Sequence, residues 1–431
     1  DIYVVFIEQG LKLLNDTGRL GFICPHKFFN AKYGEAVRAI IAKGEHLAHV
    51  VHFGHQQVFE GATTYTCLLF LENRPVSECQ YIVVDDLEAW RTNGAASQAT
   101  ISANELAAER WNFTVARDGE LFSRLSDMPE KLGNIAERVF QGLKTGADSV
   151  FILRVVGRAR YSSKCLGREV ALESTFLRPL CKSGQFKRYC LHPAERVIIF
   201  PYKHGRLIEW SKLEKDAPKT AEYLKACRKL LEARESRRWT GRHWYCYSRT
   251  QGLGVMNSVK LLTADLNPSA SYCFDDCGNA CFTGGAAGGY GIVLDEEIQL
   301  YVLGLLNSKL LDWYLRRISS TFRGGWYSYE SRFISQLPIR IPPSNSPETA
   351  RQNRVQLLVK NMLLLHNQLA AANSAAQKAI IQRQIDATDA EIDRLVYELY
   401  DLTDEEIAIV ESSTNRSSSL QSLPCRNPHP Q

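Results

Sequence analysis

"DIYVVFIEQGLKLLNDTGRLGFICP", Asp1 to Pro25, decides how the first part of the chain is built. Tyr3, Phe6, Ile7, Leu11 and Leu14 recur at helical spacing, and Asn15-Asp16-Thr17-Gly18 then breaks the period. Arg19 to Pro25 follows as a short strand, ended by a proline that has no N–H for a sheet ladder. A second helix is predicted from about Ala31 to Ala42, then strands in "HLAHVVHF" and "TTYTCLLFLE" around a loop containing Phe59, Glu60 and Gly61. Helix, strand, helix, strand, strand is an α/β pattern closing on an antiparallel pair. A doubly wound sheet ordinarily opens on a strand and a glycine-rich turn that receives a cofactor. Here the chain opens on a helix, so the expected unit is the C-terminal part of a Rossmann-like sheet.

After a spacer containing Trp90 and Trp111, the region from about Leu132 to Pro342 alternates short apolar runs such as "RVIIF" with loops and helices such as "AEYLKACRKLLEARE", the pattern of a second, α+β domain. From Ser346 to about Glu411 the period is helical with a break near Asn373-Ser374, which predicts an antiparallel helix pair. The last residues, rich in Ser, Pro and Asn, have the composition of a disordered tail. The expected division is 1–75, 76–130, 131–342, 343–411 and 412–431.

The composition, 45% hydrophobic and 23% charged, is that of an ordinary globular protein and excludes a disordered chain. No run reaches the roughly 20 apolar residues of a membrane span, and Asp1-Ile2-Tyr3 lacks the basic start of a signal peptide. Twelve scattered cysteines fit reduced thiols, so the cytoplasm is the expected location. The row Cys273, Cys277, Cys281 has no standard zinc spacing, and the histidines at 26, 46, 49, 52 and 55 are expected in surface or capping roles, so no metal is expected.

The net charge of +5 hides a strong segregation. Lys131 to Arg249 carries 26 Lys and Arg against 11 Asp and Glu; subtracted from totals of 52 and 47, this leaves 26 against 36 elsewhere. A stretch at +15 in a chain otherwise at −10 sets up a local field suited to a polyanion. Within it, "VFQGLKTGADSVFIL", Val139 to Leu153, interrupts two apolar runs with Gly142, Lys144, Thr145 and Gly146. The glycine run "CFTGGAAGGYGIVL", Cys281 to Leu294, lacks the Lys-Ser/Thr of a phosphate loop and is expected to be a flexible loop. "FRGGWYSYESRFISQLPI", Phe322 to Ile339, joins Arg323 to Trp326, Tyr327 and Tyr329, which suits either DNA contact or a packed aromatic turn. Arg178, Lys187, Arg188, Arg249 and Arg323 are further candidates for DNA contact that spacing does not distinguish. Phe59, on its loop, either covers the sheet edge or stacks on a planar substrate.

Taken in order, several stretches resemble one family, the adenine-specific (N6) DNA methyltransferases of the type IIG restriction-modification class with a TaqI-like C-terminal specificity domain. "DIYVVFIEQGLKLLNDTGRLGFICPHKFFNAKYG" resembles the post-catalytic part of their methyltransferase domain, and "VFEGATTYTCLLFLE" the later motif whose aromatic residue packs on a flipped adenine. "VFQGLKTGADSVFIL", "FLRPLCKSGQFKRY", "LGLLNSKLLDWYLRRISSTFRGGWYSYESRFISQLPI" and "EIDRLVYELYDLTDEEI" resemble successive landmarks of the specificity half and its terminal helices. The resemblance covers nearly the whole chain to about Glu411 and lies in the order of the motifs. It implies double-stranded DNA as partner, S-adenosylmethionine as methyl donor and Phe59 as the adenine-stacking residue. It also implies that Gly142 and Gly146 let the backbone approach DNA, with Lys144 and Thr145 towards phosphate; the alternative is a purely structural turn. The family's Asn/Asp/Ser-Pro-Pro-aromatic motif and glycine-rich cofactor turn do not occur in this sequence. The expectation is therefore a fragment or split-gene product that binds DNA without methylating it, its catalytic or nuclease portion lying upstream. The alternative is a non-catalytic specificity subunit that positions a separate catalytic chain.

Overall fold

The computed structural model describes residues 1–418 apart from 30, 55, 57, 60–64, 85, 107, 109, 110, 112–115, 323, 344 and 345. The chain forms two compact units that each take more than one stretch of sequence: Asp1–Met128 with Trp313–Tyr327 and Thr403 onward, and Pro129–Asp312 with Ser328–Leu402. No described helix is long and apolar enough to cross a membrane.

The first unit is built on a five-stranded sheet in the order Arg19–Pro25, Thr66–Glu72, Leu47–His52, Glu78–Val83, Ser97–Ser102. Leu47–His52 and Glu78–Val83 run parallel, and the other neighbours antiparallel. The helices Tyr3–Lys12 and Glu35–Lys43 bury Ile7, Leu11, Val37 and Ile41 with Val50, Leu69 and Leu71. The second helix starts later than its periodicity predicts because a 3-10 turn, Lys32–Gly34, precedes it. The last two strands lie in the segment read from sequence as a spacer, although Cys79 and Tyr81, and Ala99 and Ile101, alternate with polar residues as in a half-buried strand. Helix Ala116–Ser126 completes the unit with later stretches of chain: Phe122 stacks on Tyr314, centroids 5.1 Å apart, and Arg124 pairs with Glu406 at 2.6 Å. Glu406 belongs to a helix, Asp404–Ser418, that runs into the predicted tail.

The second unit carries two larger sheets. One has the order Cys281–Phe282, Leu177–Cys181, Arg196–Ile199, Ile152–Gly157, Arg160–Ser163, Arg168–Ala171; the other has Tyr272–Asp275, Lys260–Ala264, Gly289–Val293, Arg138–Gln141. An apolar cluster including Phe140, Phe151, Ile198, Trp244, Tyr247 and Phe282 lies in its interior. The glycine run is not a flexible loop. Two strands lie in it, and a Cβ at Gly289 would stand 2.1 Å from the Thr263 carbonyl oxygen, so backbone packing demands the glycine. Of the cysteine row, Cys273 and Cys281 are interior strand residues and Cys277 is exposed. The segment "AEYLKACRKLLEARE" yields two helices, Pro218–Ala226 and Arg228–Glu232, with Cys227 between them. The expected C-terminal helix pair is present as Pro347–Ala371 and Ala375–Leu399. Its turn falls where Asn373-Ser374 predicts it, because the Ser374 hydroxyl accepts the Gln377 N–H at 3.1 Å and caps the second helix.

Candidate nucleic-acid interface

The segment from Val139 to Leu153 is a loop braced from behind. Its first strand, Arg138–Gln141, pairs with Gly289–Val293 at the sheet edge, and Gly142 leaves the ladder with its N–H still donating to Gly289 O at 3.1 Å. A Cβ on Gly142 would lie 2.4 Å from the Thr283 carbonyl carbon. The close approach that requires glycine here is to the chain's own backbone, which corrects the expectation that it admits DNA. Leu143 N–H donates to Phe282 O at 2.8 Å, and Gly284 N–H returns a bond to Leu143 O at 3.1 Å.

Thr145 is buried, so the expectation that it faces phosphate is corrected too. Its hydroxyl donates to the Asp148 carboxylate at 2.6 Å and accepts the Ala147 N–H at 3.0 Å, a local turn that starts the short helix Asp148–Phe151. Gly146 takes the left-handed conformation, φ +70°, with Ser248 packed behind it. The carbonyls of Lys144 and Thr145 accept the backbone N–H groups of Arg249 and Ser248 at 3.2 and 3.1 Å. Behind them sits Arg234, a buried residue that the sequence did not single out. Its guanidinium donates to the carbonyls of Thr145 (2.8 Å), Cys246 (2.9 Å), Trp244 (2.9 Å) and Leu231 (2.7 Å), and desolvation lowers its pKa. Lys144 therefore projects to solvent from a backbone whose hydrogen bonds point inward.

The other basic candidates separate clearly. Lys187 is exposed on the short strand Phe186–Lys187, and Arg178 is half-buried on Leu177–Cys181. Arg188 is committed inside the unit: Nε and Nη2 donate to Asn307 O at 3.2 and 2.5 Å, and Nη1 pairs with Asp389 of the second hairpin helix. These bonds make it a tie within the unit. Arg249 donates to both carboxylate oxygens of Glu235, at 3.0 and 3.1 Å, and this bond holds the Glu235 pKa below its usual value. Arg323 lies outside the described residues. The aromatic run divides: Tyr329 is buried in the second unit, its hydroxyl 3.2 Å from Asp312, while Trp326 of the first unit is 39% exposed opposite Phe322 on a two-strand ladder.

In the first unit Phe59 lies on the loop between Leu47–His52 and Thr66–Glu72, 47% exposed. At the same end of that sheet the His26 and His52 rings lie at a centroid distance of 4.4 Å, their planes tilted by 49°. Burial lowers their pKa values to about 4 and about 3, so both are neutral at neutral pH. They are half-buried ring neighbours rather than the surface or capping residues expected; the signal was their placement at the ends of strands that share Thr66–Glu72 as neighbour.

Residues 1–59 match the Eco57I restriction-modification methylase family. The chain is 26% identical to the type II restriction enzyme and methyltransferase RM.Eco57I of Escherichia coli, over 95% of this chain and 44% of that protein. It is 21% identical to the type II methyltransferase M.XhoI of Xanthomonas vasicola, over 79% of this chain and 62% of that one. The chain thus spans about half the length of these relatives. Its fold is similar to that of the type IIL restriction-modification enzyme MmeI, solved in complex with DNA, with a TM-score of 0.60 and 12% identity over 98% of this chain and 53% of MmeI.

Proposed function

We propose that this chain, a relative of the type II restriction-modification methyltransferases, reads the DNA site at which such an enzyme methylates adenine at N6. In this reading residues 1–75 are the trailing part of the catalytic domain, 76–130 connect it, 131–342 form the target-recognition domain, and 343–411 the helical pair. The observation that carries the reading is the positive field of Lys131 to Arg249, with Lys144 held outward on a loop already ordered by Arg234. A cation on a pre-ordered loop meets a phosphate without the cost of fixing the backbone at the moment of binding. Lys187, Arg178 and Arg249 add to the field, and Gly146 keeps the loop low beside Lys144. Trp326 is available for stacking on a base or sugar. Phe59 is exposed where it can stack on an adenine drawn out of the duplex, since the exocyclic amine cannot be reached inside the helix.

Methylation of this class uses S-adenosylmethionine, which supplies the methyl group. The residues present do not fit a cradle for it: the strand Arg19–Pro25 runs into His26–Phe29 without a glycine-rich turn, and the glycines at 284–291 lead into a strand rather than a helix. We assign the cofactor and the grip on the adenine amine to a catalytic portion outside this sequence, and no chemical step to this chain. The test is selection of a random duplex library by the purified chain at two salt concentrations. Enrichment of one short adenine-containing sequence is expected; salt-sensitive binding without enrichment would refute autonomous recognition, and no binding would refute the reading.

A further inference from the structure

The six-stranded sheet of the second unit places three arginines on one face. Residues opposite each other across an antiparallel ladder project to the same side, as do residues two apart on one strand. Arg154 stands opposite Arg196, Arg196 opposite Leu180, and Ile198 opposite Arg178. Arg178, Arg196 and Arg154 therefore share a face on three successive strands. Val155 N–H donates to Glu195 O at 3.1 Å, which makes Arg154 and Arg196 a non-hydrogen-bonded pair with Cα atoms about 4.5 Å apart. Arg178 lies on the diagonal, about 7–8 Å from Arg196.

Like charges directly opposed destabilise a sheet, and nothing among the described residues relieves this pair. Arg154 and Arg196 are both exposed, and neither side chain makes a hydrogen bond or ion pair with a described residue. The carboxylate on the same row, Glu169, is taken by Arg160 and is separated from Arg154 by the strand that carries Ser162. Lys182, just past the end of the Arg178 strand, adds a further positive charge: its Nζ donates to Thr283 Oγ1 at 2.9 Å, and burial lowers its pKa, with Asp148 opposing and Arg196 adding to that shift. The arrangement is tied to the Lys144 loop in two ways. Thr283 bridges to Leu143, and the helix Asp148–Phe151 runs directly into the strand of Arg154.

We propose that Arg178, Arg196 and Arg154 form a track for the phosphates of one strand of duplex DNA, continuous with Lys144. This rests on the reading of the chain as a DNA-recognition protein. An anion between the two opposed guanidinium groups converts their repulsion into shared attraction, and each neutralised phosphate releases condensed counterions.

The test uses the full chain, with duplex binding followed by fluorescence anisotropy between about 50 and 200 mM salt and thermal unfolding recorded on the same samples. R154Q/R196Q is expected to reduce the salt slope by about 2 and the affinity by more than about tenfold at the lower salt. R154K/R196K, which keeps both charges, is expected to hold the wild-type slope. R196Q alone, which removes the repulsion, is expected to unfold at or above the wild-type temperature. Wild-type affinity and slope in R154Q/R196Q would overturn the track while leaving DNA recognition intact. A slope in the lysine pair as shallow as in the glutamine pair would also overturn it. A wild-type chain that binds no duplex would overturn both readings together.

Discussion

Arg234→Ala should release the Val139–Leu153 loop. The side chain donates four hydrogen bonds to carbonyl oxygens, and Thr145 O keeps a second donor, Ser248 N–H, when it goes. The other three carbonyls lose a charged donor in a buried setting, at about 1–3 kcal/mol each, and the removal also leaves a gap beside Phe151, over whose ring the guanidinium sits at 5.8 Å. Part of that loss is returned, because the buried guanidinium no longer has to be desolvated, as its lowered pKa indicates. A net cost of about 3–5 kcal/mol follows for opening the loop. Hydrogen exchange measured by mass spectrometry on peptides covering 139–153 and 244–250 reads this directly: 3 kcal/mol corresponds to an acceleration of more than about a hundredfold. The Arg234→Lys variant, with three donors on a point charge instead of a planar fork, should fall between the two. An acceleration of less than about tenfold in the alanine variant would show that Arg234 is not what orders the loop.

Three further outcomes are expected. Lys144→Ala should weaken duplex binding equally for all sequences and reduce the salt slope by about 1, without changing the unfolding temperature; unchanged affinity at every salt would remove Lys144 from the interface. Gly142→Ala should lower the unfolding temperature of the second unit, because its methyl group would meet the Thr283 backbone at 2.4 Å; wild-type stability would show that the two segments can separate at no cost. Burial, with Asp389 nearby, raises the Asp393 carboxyl to about 6, against about 4 for an unfolded aspartate. The folded state therefore binds more protons across that window, so this group's contribution to stability is largest below pH 4, falls as pH rises to 6, and is level above. Asp393→Asn should remove this slope and gain up to about 3 kcal/mol at pH 7, measured by urea unfolding across the range; an unaltered pH profile would exclude the buried carboxyl as its source.

Local periodicity carried the first unit well. The strand Arg19–Pro25 was legible because its proline and the preceding Asn-Asp-Thr-Gly act on the neighbouring backbone, and the hairpin turn at Ser374 because a serine caps its own helix. What failed depends on residues far away in sequence. Arg178 and Arg188 look alike in the sequence, and only the bonds to Asn307 and Asp389 set Arg188 apart. The glycines at 288 and 289 read as flexible until Thr283 and Thr263 are found against them, and Gly142 read as an opening to a ligand until the same Thr283 was seen to occupy that space. The facing of Arg154 and Arg196 follows from strand register, which no local pattern in "RVIIF" or "FILRVVG" specifies.

The interleaving of the two units sets the order in which the protein can be completed on a ribosome. Residues 1–128 emerge first, but Tyr314, which stacks on Phe122, and Glu406, which pairs with Arg124, are translated only after most of the second unit. At about 5–20 residues per second, the wait from Met128 to Thr403 is roughly 15 to 55 seconds. Until Tyr314 is translated, roughly 9 to 37 seconds into that wait, the second unit's first stretch, Pro129–Asp312, is free to collapse on its own core while Phe122 remains uncovered by its ring partner. A nascent chain stalled within that window would present an unfinished first unit to chaperones, and a contiguous graft of residues 129–402 into another enzyme would carry the donor's Trp313–Tyr327 segment along with the second unit.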